Sequence, residues 1–294
     1  MEIRIVLRGA ISGFVAGVLG FVLARIFAEP LVQKAIDYEG QRDSAITALA
    51  KAAGTAVDPN GPGDFSRTVQ STWGLATGII TFSTAMGALV AVAYLVLHGR
   101  FNVRPRTLAL LISGFGFLGI YLLPFCKYPA NPPSVGHAST IDTRTELYLT
   151  TVGGALLFLG LGVWLGRRLT SRFSVFNATL IAAVAVIAAY SILVGLLPSL
   201  GHLAANKRLA DTLGYGSSAT ETPLPIVNKQ GQLVLPGFSA DLLWKFRFWS
   251  VVTQLLVWTS LALIFSTLVE RFFTPTARRP VPPATTRASE SVTV

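Results

Sequence analysis

Six polar side chains between or beside the apolar runs of this chain could bind a divalent transition metal. They are Glu29, Asp37, Asn131, His137, Asp142 and Glu146. Carboxylate, amide and imidazole groups are ligands of moderate strength, suited to an ion that must be captured and then released. The sequence has no dense ligand spacing such as H-x-x-x-H, so the metal hypothesis requires that these residues converge on one outward-facing polar cavity.

Arg25 and Glu29 are four residues apart, a spacing that places opposite charges side by side on a regular helix. We interpret them as a structural ion pair near the membrane interface, and the alternative is that they line an outward-facing vestibule. Pro30 follows directly and is expected to end or bend the helix.

The segment 127–133, with the sequence KYPANPP, has three prolines in five residues. Its backbone should therefore be stiff and extended. The segment is either a rigid connector or a loop that presents carbonyl groups and Asn131 as oxygen ligands. No phosphate-binding loop, nucleophile elbow or H-E-x-x-H motif accompanies it, so we do not expect an enzyme.

The elements that must position these residues are membrane helices. Of 294 residues, 52% are hydrophobic and 13% are charged, against roughly 25% charged in soluble domains. Six apolar runs of at least about 18 residues can each cross the bilayer as a helix; they are 9–27, 73–97, 108–125, 147–166, 176–197 and 248–269. We predict an all-α integral membrane protein with one polytopic domain, 1–273. The first run has no small-x-small cleavage pattern, so we expect it to be retained rather than removed as a signal peptide.

The distribution of basic residues predicts the orientation. The two termini and the loops near residues 98–107 and 167–175 carry 12 basic and three acidic residues, a net charge of +9, whereas the opposite side carries +1. Both termini are therefore predicted to be cytoplasmic, and the tail 274–294 to be disordered. A nucleic-acid-binding surface is the weaker explanation of the net charge of +10, so we expect no nucleic-acid partner.

Three long segments, 28–72, 126–146 and 198–247, are then extracytoplasmic. Residues 30–53 have an approximately helical apolar period, residues 201–213 could form a second short helix, and Ser239 could cap a third helix that leads into the last span. Within the first span, Gly9, Gly13 and Gly17 have the four-residue spacing of close helix packing. A glycine-lined substrate path or subunit interface is the alternative.

The chain resembles the CbtA family of predicted cobalt transporter subunits. The resemblance covers about residues 5–270 and lies in LRG at 7–9, AEP at 28–30, AIDYE at 35–39, KYPANPP at 127–133, RTELY at 144–148 and ADLLWKFR at 240–247. It implies a membrane component of a cobalt-uptake system in the bacterial cytoplasmic membrane, with Co²⁺ or a similar divalent ion as cargo and no prosthetic group. It also implies a small one-span partner chain whose tail carries histidines.

A second function follows from the residues themselves. Three of the predicted spans, 73–97, 108–125 and 176–197, have almost no charged group near their middle, whereas transporters usually carry polar groups at that depth. The chain could therefore be a non-transporting accessory or structural subunit of a larger membrane complex.

Overall fold

A computed structural model of the chain describes residues 2–54, 66–136, 140–204, 206–207, 221–228 and 230–273. Within these ranges, six helices are long and apolar enough to span a membrane, which confirms the predicted all-α membrane class. We number them α1 (Glu2–Ala52), α2 (Arg67–Leu97), α3 (Pro105–Lys127), α4 (Ile141–Leu169), α5 (Val175–Leu196) and α6 (Ala240–Phe273). Strands β1 (Ile226–Val227) and β2 (Leu233–Leu235) pair antiparallel. Each predicted span falls within one helix, except that Leu197 directly follows α5, and the tail 274–294 lies outside the described residues.

Helix α1 continues well past the predicted end of the first span. The segment 28–72 was expected to be a loop with a separate short helix, but α1 runs without interruption to Ala52. Pro30 does not end it, because a π-helical turn, Ala24–Ala28, directly precedes the segment that contains this proline. Such a wide turn can accommodate a ring that cannot donate a backbone hydrogen bond and that crowds the preceding turn. Within the described residues, α2 and α3 contain similar turns at Gln70–Gly74 and Phe117–Leu122.

Helices α1, α2, α3 and α6 pack around a shared apolar core that includes Tyr94, Leu261 and Phe265. The α1–α2 crossing is very close, because glycines of both helices face each other. A Cβ atom on Gly13 would overlap the carbonyl oxygen of Ser83 and lie 3.0 Å from the Cα atom of Thr84. This contact confirms the packing interpretation of the glycine spacing.

Helices α4 and α5 form a hairpin beside this bundle. The hairpin joins the bundle through α3, where Leu156 packs on Gly119 and the Tyr148 hydroxyl donates to the carbonyl of Ile120 at 3.2 Å. Most of the apolar surface of α5 is exposed, including Val184 and Ile187. In a bilayer, lipid tails surround such a surface, so its apolar side chains are not exposed to water.

The contacts of the basic residues define the two ends of the bundle. At the inner end, the Arg8 guanidinium lies 4.4 Å from the centre of the Phe272 ring, and Arg106 forms a 3.4 Å ion pair with Glu270. The first and last described turns of the chain thus lie at the same end. We call the opposite end the outer end; which side of the membrane it faces remains a prediction from the charge distribution.

The outer end is covered by chain segments that join distant helices. Beyond the membrane-length part of α1, Tyr38 donates to the carbonyl of Pro236, and Arg42 donates to that of Leu224, both at 3.0 Å. Ser239 then caps α6 by accepting from the Leu242 amide at 3.3 Å, as predicted. Of the predicted short helix at 201–213, the structure gives a 3₁₀ turn at Leu200–His202 and α-helical residues at 204, 206 and 207. Residues 205 and 208–213 lie outside the described ranges.

Candidate functional site

The first polar group at the outer end is built around Glu29. Its side chain is buried and forms an ion pair with Arg67 in the first turn of α2. The same guanidinium donates through Nε to Oε1 of Gln33 at 2.9 Å. Arg67 is held by the fold as well, since the Ser66 side chain caps this turn by accepting from the Val69 amide.

The sequence predicted an ion pair between Glu29 and Arg25, but in the structure Glu29 pairs with Arg67 instead. Arg25 lies in the π-helical turn, where the Glu29 amide bonds to the carbonyl of Ala24, five residues back. The four-residue spacing therefore no longer places the two side chains on one face. Arg25 is exposed, and the carboxylate is paired with Arg67 instead.

Gln33 links this pair to Asp37. The Gln33 amide nitrogen donates to Oδ1 of Asp37 at 2.8 Å, so Glu29, Gln33 and Asp37 form a connected row on one face of α1, which we call the outer ladder. Asp37 is exposed at its far end. Eight residues of helix rise about 12 Å, so Glu29 and Asp37 cannot bind one ion at the same time.

Asn131 belongs to a different group. Its Oδ1 accepts from Nη2 of Arg247 at 2.7 Å, and Nε of Arg247 lies 3.3 Å from the carbonyl of Ala130. The proline-rich segment is thereby tied to the first turns of α6. This arrangement fits the interpretation of the segment as a rigid connector, because its best oxygen ligand is already bound to a cation of the chain.

Asn131 also lines two adjoining cavities at the outer end, with volumes of about 350 and 180 Å³. The cavities share Tyr128, Pro129, Asn131 and Leu200. The charged residues in their described walls are Lys127, Arg144, Glu221 and Arg247, three cations and one carboxylate. A wall with this excess of positive charge is unfavourable for a divalent cation.

Two charged residues that the sequence reasoning missed are Arg67, the partner of Glu29, and Glu221. The Glu221 side chain is 1% exposed and forms a 3.5 Å ion pair with Arg144. One carboxylate oxygen accepts from Oγ1 of Thr140 at 2.9 Å and from Nδ2 of Asn206 at 3.0 Å. The nearby Gly136 has φ +104°, and a Cβ atom there would lie 2.9 Å from Oε2 of Glu221, so this position requires glycine. The only sequence signal was Arg144, which lies in the RTELY motif.

Tyr128, which lines both cavities, connects them to the residues that follow α5. Its hydroxyl donates to the carbonyl of Pro198 at 2.8 Å. Burial raises the pKa of this phenol above its usual value. The group therefore stays a neutral hydrogen-bond donor at any physiological pH.

The remaining predicted ligands do not join these groups. Asp142 and Glu146 are exposed near the start of α4, because Arg144 between them occupies the face that points toward the cavities. His137 lies outside the described residues. Neither of these two cavities is lined by Glu29 or Asp37, so among the described residues neither brings the predicted ligands together. Across the part of the chain that the structure describes, no three histidine, cysteine or carboxylate side chains are close enough to hold a metal ion together.

Comparison with known proteins identifies the family. No curated protein and no solved structure matches the chain. A family model described as "Probable cobalt transporter subunit (CbtA)" matches residues 2–270, nearly the whole length. Transporter components of this kind lie within the lipid bilayer, in agreement with the six apolar helices. The chain therefore belongs to the CbtA family of probable cobalt transporter subunits.

Proposed function

We propose that the chain is the membrane component of a cobalt-uptake system in the bacterial cytoplasmic membrane, and that the outer ladder is where the ion enters. Family membership supports the first part. The second part rests on one observation: the guanidinium of Arg67 holds both the Glu29 carboxylate and Oε1 of Gln33. Two oxygen ligands therefore already point toward the place that a cation occupies.

The proposed entry step is an exchange of cations at Glu29. A buried carboxylate is strongly destabilised when it has no counter-charge, so Glu29 binds either Arg67 or an incoming Co²⁺. The Arg67 side chain is 28% exposed, so it can move into water while its apolar stem stays packed. Asp37, exposed one turn beyond Gln33, would receive the ion first. We assign His137, Asp142 and Glu146 the lesser role of raising the local concentration of cations.

Cellular cobalt uptake by the complete system tests this role. Glu29→Gln keeps the size of the side chain but removes its charge, and we expect uptake to fall by at least about ten-fold, as is typical when a group that supports metal binding is lost. Asp37→Asn should reduce uptake less. Glu270→Gln is the matched control, because it removes an ion-paired glutamate at the inner end. Normal uptake by Glu29→Gln, at the wild-type level of protein in the membrane, would refute the role of the ladder.

The largely apolar interior of the bundle supports a second candidate, a non-transporting accessory subunit. Buried hydroxyls such as those of Ser12 and Ser113 donate to carbonyls of their own helices, Arg8 at 2.7 Å and Ala109 at 2.9 Å. The α1–α2 crossing leaves no space for an ion. In this case the ion path would involve a partner chain, such as a small one-span protein with a histidine-bearing tail.

Reconstitution distinguishes the two candidates. The purified chain is placed in liposomes that contain a cobalt-sensitive dye, with and without its partner chains. Cobalt entry with this chain alone would exclude the accessory role. Entry that requires a partner, and that is unaffected by Glu29→Gln, would favour the accessory role over the ladder.

A further inference from the structure

Two cations in the walls of the outer cavities are bonded to neutral oxygen atoms. Arg247 is partly buried and donates to Asn131 and to the carbonyl of Ala130. The Lys127 ammonium donates to the carbonyl of Leu197 at 3.0 Å. Among the described residues, no carboxylate lies within 4 Å of either cation, and the one acid in the walls, Glu221, is paired with Arg144.

Neutral hydrogen-bond donors lie beside these charges. Because Oδ1 of Asn131 accepts from Arg247, the amide nitrogen of Asn131 presents two N–H groups on its other side. The hydroxyl of Tyr121, which lines the larger cavity, is buried and has no hydrogen-bond partner within the described ranges. A buried donor without a partner is destabilising, so a hydrogen-bond acceptor bound in the larger cavity would be favoured.

We propose that the adjoining cavities bind an oxyanion, which is the phosphate or carboxylate group of a ligand that reaches them at the outer end of the bundle. Arg247 and Lys127 supply the positive charge, and Asn131 and Tyr121 supply neutral donors. The aromatic walls, with Phe125 and Tyr128, accept an apolar part of the ligand. The oxyanion comes either from the headgroup of an anionic lipid or from a soluble anion.

The site is independent of the proposed ion entry at the outer ladder. A divalent cation in these cavities would face two positive charges that no described acid neutralises, whereas the ladder contributes the carboxylates Glu29 and Asp37. Failure of one proposal therefore leaves the other unaffected.

The experiment uses the full chain, purified in a maltoside detergent that carries no phosphate. Isothermal titration measures the binding of inorganic phosphate and citrate at constant ionic strength. Native mass spectrometry measures the retention of phosphatidylglycerol relative to phosphatidylcholine. For whichever probe binds, we expect Arg247→Gln to weaken binding by at least about ten-fold, since bonds to charged groups are the strong ones. Lys245→Gln is the matched control on the same helix, because Lys245 is exposed and pairs with Asp241 at 2.7 Å.

The outcomes separate the sources and decide the proposal. Saturable binding of phosphate or citrate that is lost in Arg247→Gln supports a soluble anion, and selective retention of phosphatidylglycerol that is lost in the same variant supports a lipid headgroup. If Arg247→Gln does not fold, Lys127→Gln replaces it with the same expectation. Absence of saturable binding by every probe, or wild-type affinity in both variants, overturns the proposal.

Discussion

Adding a single methyl group at Gly13 should push helices α1 and α2 apart. In Gly13→Ala, the new Cβ atom would overlap the carbonyl oxygen of Ser83 and lie 2.9 Å from its carbonyl carbon. Both obstacles are backbone atoms in the middle of a helix, so no change of side-chain rotamer can relieve the overlap. The helices must move apart along the whole crossing, including the facing pair Gly9 and Gly87.

The magnitude follows from two opposing terms. Overpacking a close-packed site destabilises by about 1–3 kcal/mol, and a backbone obstacle places this site near the upper value. Alanine is favoured over glycine within a helix by up to about 1 kcal/mol. The net loss is therefore about 2 kcal/mol, which is roughly a 30-fold change in the unfolding equilibrium constant.

The assay is unfolding in mixed micelles with an increasing fraction of SDS, followed by tryptophan fluorescence. Gly78→Ala is the matched control on α2, because a Cβ atom at Gly78 would meet nothing within 4 Å. The control should be as stable as the wild type or slightly more stable. If Gly13→Ala is as stable as Gly78→Ala, the helices do not pack as closely as described, and the α1–α2 interface has room for polar groups or water.

Two further predictions concern the outer end. Glu221→Gln removes the buried carboxylate charge that faces Arg144 at 3.5 Å and should destabilise the fold by about 3 kcal/mol, measured in the same unfolding assay; a change below about 0.5 kcal/mol would contradict the burial of this carboxylate. The Tyr128 phenol has a raised pKa in the folded chain, so the stability it contributes is complete below about pH 10, the value for an unfolded tyrosine, and is lost as pH rises through the folded pKa. In Tyr128→Phe, the free energy of unfolding should fall less steeply as the pH rises above about 10. If the free energy of unfolding of Tyr128→Phe depends on pH in the same way as that of the wild type, ionisation of Tyr128 does not contribute to the alkaline loss of stability.

Much of the architecture was predictable because each span satisfies its backbone hydrogen bonds internally. Long apolar runs therefore indicate helices without any knowledge of their neighbours. Helix caps were equally predictable, because they depend on residues close together in the chain, as Ser239 at the start of α6 demonstrates. The glycine spacing of α1 predicted close packing, although it did not identify α2 as the partner.

The candidate site was less predictable because its contacts join residues far apart in the chain. Asn131 and Arg247 are 116 residues apart, and no local pattern indicates that they meet. Glu221 directly follows residues 214–220, GYGSSAT, which have no helical or strand period, so its burial had no periodic signal. The predicted Arg25–Glu29 pair was wrong for a different reason: it assumed regular α-helical winding across a turn that is π-helical.

That turn also sets the helical phase of everything beyond it. A π-helical turn includes one residue more than a regular turn requires, and one residue corresponds to about 100° of rotation around the axis. The two parts of helix α1 on either side of this turn are therefore rotated relative to each other. The part before it carries the glycine face that meets α2, and the part after it carries the polar face with the outer ladder. Deleting one residue within Ala24–Ala28 would restore regular winding and rotate Glu29 away from Arg67, while the glycine contacts would remain in place.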